Sequence, residues 1–130
     1  MQIVSFVNRG YTGSIVTVEV DLRRGIPGMD VVGLPDSAVK EARERVRAAV
    51  RNSGFRVPRQ RILINLAPAG VKKQGAAFDL PMAAALLMVD AQVPEAGALT
   101  MLIVGELELS GRIRPVAGVL AAVHAALEGG

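Results

Sequence analysis

The side chains best equipped for chemistry in this 130-residue chain are basic, and they are gathered together. Residues 40–73 hold Lys40, Arg43, Arg45, Arg47, Arg51, Arg56, Arg59, Arg61, Lys72 and Lys73 against Glu41 and Glu44, a net +8 within a chain whose total is +3. Such asymmetry suits a polyanionic partner, although a solvated basic face would read the same way. Arg43, Arg47 and Arg51 recur four apart, so on a helix they form one stripe, and guanidinium forks match phosphate oxygens in shape. Lys72 and Lys73 precede Gln74-Gly75 in a loop. Lys72, Lys73, Arg43, Arg47 and Arg51, backed by Arg56 and Arg59, are therefore the candidate nucleic-acid contacts. With one Tyr, three Phe and no Trp, little can stack on bases. Contact would go to the phosphate backbone and be weak and indifferent to sequence.

Other chemistries find few residues. There is no Cys, hence no disulfide or thiolate metal site. His124 is the single histidine, and a lone histidine is far more often a surface or core residue than a ligand, so no metal site is expected. No Gly-x-x-x-x-Gly-Lys-Ser/Thr run exists to cradle a nucleotide, and no cofactor-binding or catalytic residue is assigned. Gly10–Gly13 and Gly25–Gly28 have Gly-x-x-Gly spacing, but both fall between strands, where they read as turns and not as an RNA clamp between helices. No apolar run reaches the ~18 residues that span a bilayer, and the N-terminus lacks signal-peptide features. The expectation is a cytoplasmic protein with no membrane contact.

The elements that must hold these residues follow from periodicity. Gln2 to Val7 reads as a strand. Ile15 to Leu22 alternates, with Val16, Val18, Val20 and Leu22 on the buried face. Met29 to Val32 is a short third strand. Gly33-Leu34-Pro35-Asp36-Ser37 opens a helix that stops near Ser53-Gly54, its buried stripe made of Val39, Ala42, Val46, Ala49 and Val50. Lys40–Glu44 and Glu41–Arg45 are candidate surface pairs on it. Arg61 to Leu66 is a strand with Ile62, Ile64 and Leu66 inward. Asp79 is expected to cap a second helix, with Pro81 in its first turn. From Leu80 to Val89 every residue is apolar, which predicts a helix without a wet face. Met101 to Val104 reads as a central strand, joined through a turn at Ser110-Gly111 to a partner near Arg112-Ile113. A third helix is expected over about 116–128. The order is β-β-β-α-β-α-β-β-α, a single domain over 1–130 and an α/β two-layer sandwich.

The Lys72-to-Leu86 context resembles the proteolytic domain of Lon-type proteases, where a lysine and a glycine lead into a serine at the start of a helix. Gly105 to Gly118 looks like the segment carrying the Lon catalytic lysine. On that pattern the serine position is Ala77 and the lysine position is Leu120, neither able to do the chemistry. More runs match a nearer relative. Gly33-Leu34-Pro35-Asp36, Val39-Lys40-Glu41, Arg43 to Ala49, Asn65-Leu66-Ala67-Pro68-Ala69, Lys72-Lys73, Phe78-Asp79-Leu80-Pro81 and Gly105-Glu106-Leu107 together resemble the N-terminal domain of magnesium-chelatase-related ATPases of the ComM/YifB type. One departure is Gly70, where the family commonly has an acidic residue.

The resemblance implies a ribosomal protein S5 domain 2-like (Lon protease domain-like) fold. It implies an AAA+ ATPase module downstream as partner, assembly into a hexameric ring, and a link to DNA branch migration in natural transformation, with DNA as a candidate partner. ATP and Mg belong to that module alone, and nothing in the chain suggests a porphyrin site. On this reading the domain is a non-catalytic accessory to ring assembly and DNA engagement. Two alternatives stand beside it. One is a pure oligomerisation scaffold; the other is a peptidase with a displaced dyad, for which only Ser110 and Thr100 offer nearby hydroxyls.

Overall fold

The computed structural model describes residues 2–9, 12–67, 78–93 and 100–114. Within them the order is β1 (Gln2–Arg9), β2 (Thr12–Arg23), β3 (Gly28–Val32), α1 (Asp36–Asn52), β4 (Arg61–Ala67), α2 (Asp79–Val89), β5 (Thr100–Leu102), β6 (Glu106–Leu107) and β7 (Ile113–Arg114). β1 to β5 form one mixed sheet in the order β3-β4-β2-β1-β5. β2 runs antiparallel to both β1 and β4, whereas β3 is parallel to β4 and β5 to β1. The fold is thus mixed α/β.

Alternation along the strands decides which face is dry. Val18 lies opposite Ile3 and Leu66, Val20 opposite Ile64, and Leu22 opposite Ile62, which in turn faces Met29. Residues directly opposite one another share a face, so these side chains build one apolar surface. Ala42, Val46, Ala49 and Val50 of α1, and Met82, Ala83, Ala85, Leu86 and Leu87 of α2, join that surface in a single core. One layer of helix therefore covers one layer of sheet. The β3-α1-β4 unit is a crossover between adjacent parallel strands, which needs a connection as long as a helix. No helix among the described residues is long and apolar enough to cross a membrane.

Several expectations change. Met101 to Val104 does not form a central strand among the described residues: β5 has three residues and pairs with β1 at the end of their sheet order. Apolar runs report burial on the faces, and Met101 and Ile103 pack against the core whatever pairs beyond them. Nor does the Ser110-Gly111 turn extend the main sheet. It closes an antiparallel hairpin of β6 and β7 that is a sheet of its own, with Glu108 N–H donating to Arg112 O at 2.8 Å and Gly111 N–H to Glu108 O at 2.9 Å. Three strands thus follow α2 where two were expected. The end of α2 is also wetter than its composition implies, since Val89 is half exposed. Glu41 and Arg45 do approach, at 3.8 Å, whereas Lys40 and Glu44 form no ion pair with each other. The third helix expected over 116–128 lies outside the described residues.

The remaining change concerns Asp79. Phe78, not Asp79, is the residue ahead of α2, and no side chain caps that end. Asp79 is already inside the first turn and is wholly buried. Its carboxylate takes both arms of Arg45, Nε closely and Nη2 at 3.4 Å. An isolated carboxylate there would be prohibitively desolvated, so the helix start is tied to α1 by an ion pair in place of a cap. Burial holds the Asp79 carboxyl above its ordinary value, more than the Arg45 hydrogen bond and charge pull it down, and Glu106 adds to the rise.

Candidate nucleic-acid interface

A cleft of about 810 Å³ opens where the C-terminal half of α1, the 55–60 segment and the end of α2 meet. Arg47, Arg51, Arg56 and Arg59 all line it, with Gln60, Asp90 and the apolar Val57 and Ile62 among the rest of the wall. Arg47 and Arg51 are one turn apart on α1, about 6 Å along its axis. The helix turns them toward the cleft because Val46, Ala49 and Val50 occupy its buried side.

The chain then reverses and brings Arg56 and Arg59 into the same lining. Gly54, with φ of +86°, supplies the left-handed residue after the helix. Gly54 N–H donates to Arg51 O at 3.0 Å and Phe55 N–H to Val50 O at 3.1 Å, the paired bonds of a Schellman ending. Gln92 grips the Arg56 backbone. Its Oε1 accepts the Arg56 N–H at 2.8 Å, and its Nε2 donates to Arg56 O at 2.7 Å and to Asp90 Oδ2 at 2.7 Å.

None of the four guanidinium groups has an ion pair or side-chain hydrogen bond among the described residues, and all four side chains line one concavity. Three other arginines of the 40–73 cluster are engaged elsewhere. Arg43 is not among the residues that line the cleft; its Nη1 donates to Met29 O at 3.2 Å, which anchors α1 to β3. Arg45 serves Asp79, and Arg61 holds Asp30 at 2.6 Å. Lys72 and Lys73 lie outside the described residues, as do Ala77 and Leu120.

For the displaced-dyad alternative, Ser110 sits exposed in the hairpin turn, accepting a weak bond from Arg112 N–H at 3.4 Å, and nothing there marks an activated hydroxyl. Of Thr100 only the strand placement is described. Among the described residues no cluster of His, Asp or Glu could hold a metal ion. Sequence reasoning overlooked Gln92 and Asp90. They stand 36 and 34 positions from Arg56 in the chain, and neither belongs to a pattern that marks them.

Residues 18–130 match the family model described as subunit ChlI of Mg-chelatase. Over most of the chain, YifB of Escherichia coli is 44% identical (121 residues, 93% of this chain) and the competence protein ComM of Haemophilus influenzae 43% identical (124 residues, 95% of this chain). The chain belongs to the ComM/YifB-type, Mg-chelatase-related family.

An uncharacterised protein of Mycobacterium tuberculosis is 47% identical over 122 residues, 94% of this chain. The chain spans about a quarter of the length of these curated relatives, 24% of each. What the arginine cleft contributes to a ComM/YifB-type protein has therefore to be argued from the cleft itself.

Proposed function

We propose that this domain is a non-catalytic accessory domain of a ComM/YifB-type ATPase. In that role it helps assemble the ring and engages DNA during branch migration. The finer fold assignment, ribosomal protein S5 domain 2-like and akin to the Lon protease domain, belongs to the same proposal. So do a downstream AAA+ module that binds ATP and Mg, a hexameric full-length protein and a cytoplasmic location. A relative named a competence protein supports the DNA connection.

The observation that carries the reading is the cleft, where Arg47, Arg51, Arg56 and Arg59 line one concavity and make no ion pair among the described residues. Keeping four like charges together costs Coulomb energy, and a polyanion is the partner that would repay it. Phosphate oxygens suit these forks, and the cleft lining has no aromatic side chain to read bases. The expected interaction follows the backbone and ignores sequence.

Fluorescence anisotropy with labelled single-stranded and duplex DNA, at about 50 and 200 mM salt, tests it. With about four phosphates neutralised on duplex, the slope of log affinity on log salt is about −3.6, a loss of roughly a hundredfold over that range. Arg47→Glu/Arg51→Glu should abolish binding. A parent that binds neither DNA at low salt, or a double variant that binds equally well, removes the DNA reading. Self-association of the chain in sedimentation, lost in the same variant, would then favour the oligomerisation scaffold.

A further inference from the structure

The four arginines of the cleft stand on two different supports. Arg47 and Arg51 belong to α1, whose backbone bonds fix them. Arg56 and Arg59 belong to residues 55–60, which are neither helix nor strand. That segment is held at its start by Phe55 N–H on Val50 O and at its end by Gly28 N–H on Gln60 O, the latter a long 3.4 Å. Between those ends the grip comes from one side chain, Gln92, which bonds both the N–H and the carbonyl of Arg56.

Only a carboxamide offers an acceptor and a donor side by side for such a grip. Gln92 is in turn fixed twice. Its own N–H donates to Leu87 O at 2.9 Å in the ending of α2, and its Nε2 also reaches Asp90, which lines the cleft. The end of α2 thus supplies both a clamp for one arginine wall and a carboxylate inside the cationic cleft.

We propose that Gln92 is a positioning residue of the cleft, fixing Arg56 and with it Arg59 for phosphate contact, and that Asp90 weakens the cleft's hold on phosphate by its charge. This rests on the reading of the cleft as a phosphate-backbone site. A pre-set arginine loses less freedom when it binds, so the clamp acts through affinity. Asp90 repels an incoming phosphate while remaining the acceptor that orients Gln92.

The test uses the whole 130-residue chain and a fluorescein-labelled oligodeoxythymidylate, titrated by anisotropy across salt. With four contacts to a single strand, the parent's slope should be about −2.8. Arg56→Ala/Arg59→Ala should lower it to about −1.4, whereas Gln92→Ala should weaken binding at every salt with the slope kept near −2.8, and the triple variant should match the double variant. A merely structural role would give an additional loss in the triple variant, and that result overturns the proposal. So does a Gln92→Ala chain that binds like the parent while Arg56→Ala/Arg59→Ala binds weakly; the cleft reading would survive it. A parent that does not bind at all removes the cleft reading first, and this inference with it.

Should Gln92→Ala fail to fold, amide hydrogen exchange of the parent still decides the clamp, because an unprotected Arg56 N–H contradicts it. Asp90→Asn keeps an acceptor for Gln92 and removes the charge. It should tighten binding about two- to threefold at low salt, and unchanged or weaker binding overturns the role given to Asp90.

Discussion

Asp79 is wholly buried, while the Arg45 that answers it keeps 26% of its side chain exposed. The two partners are therefore not equivalent. Arg45→Ala strands a carboxylate in the core and should cost about 3–5 kcal/mol at neutral pH. Asp79→Asn leaves a guanidinium that still reaches water and should cost less, about 1–3 kcal/mol. The two should also differ in pH dependence. A carboxyl whose folded pKa lies above its unfolded value contributes stability that is present below the unfolded pKa and lost as pH rises through the folded one. Asp79 is already raised by burial, with Arg45 opposing the rise. Without Arg45 the rise is larger, so the Arg45→Ala deficit should be full at neutral pH and shrink as acid protonates Asp79. Urea midpoints of parent and both variants at two pH values check this; an Arg45→Ala deficit that is constant or grows in acid contradicts it.

At the scale of elements, both helices end alike with different residues. α1 passes through Gly54 at φ of +86°, and α2 through Ala91 at φ of +58°. Ala91 N–H donates to Met88 O at 3.1 Å and Gln92 N–H to Leu87 O at 2.9 Å, repeating the paired bonds after α1. A left-handed alanine carries a steric penalty of about 1–2 kcal/mol, partly offset by the smaller entropy it loses on folding. Ala91→Gly should therefore stabilise the domain by about 0.5–1 kcal/mol. Gly54→Ala should destabilise it by a similar amount, through the backbone alone, since no atom lies near its added methyl. Denaturant midpoints at unchanged m-value measure both. A stabilised Gly54→Ala would mean that this ending is not formed. Gly33 is the harsher case. A methyl there would lie 2.2 Å from Leu66 O, which explains a glycine where β3 hands over to α1 alongside β4.

For the whole molecule, the cleft is where a charge asymmetry along the chain becomes an asymmetry in space. The proposed accessory role carries a negative expectation that is measurable. Incubated with unfolded casein or with ATP, the chain should give rates equal to a buffer blank, because the Lon-type resemblance puts the dyad positions at Ala77 and Leu120 and no P-loop is present in the sequence. Casein cleavage that survives repurification and is blocked by a serine-directed reagent would overturn this and return attention to Ser110 and Thr100.

The periodic elements were legible from the sequence alone. The alternations of Val16 to Leu22 and of Ile62 to Leu66, and the apolar stripe of α1, report burial on a face, and burial is written locally in residue type. The family was legible too, because Gly33-Leu34-Pro35-Asp36 and Phe78-Asp79-Leu80-Pro81 are contiguous runs. The candidate cleft was half legible: its arginines stood out as a charge cluster, and four of the five described candidates do meet there. Tertiary structure alone decided that Arg43 serves the Met29 carbonyl, that Asp79 is an ion-pair partner in place of a cap, that β5 ends the sheet order of the described residues, and that Gln92 clamps Arg56. Each of these is a contact between residues distant in the chain. A polar side chain's type states which bonds it can make, and only the packing of elements states which partner comes within reach.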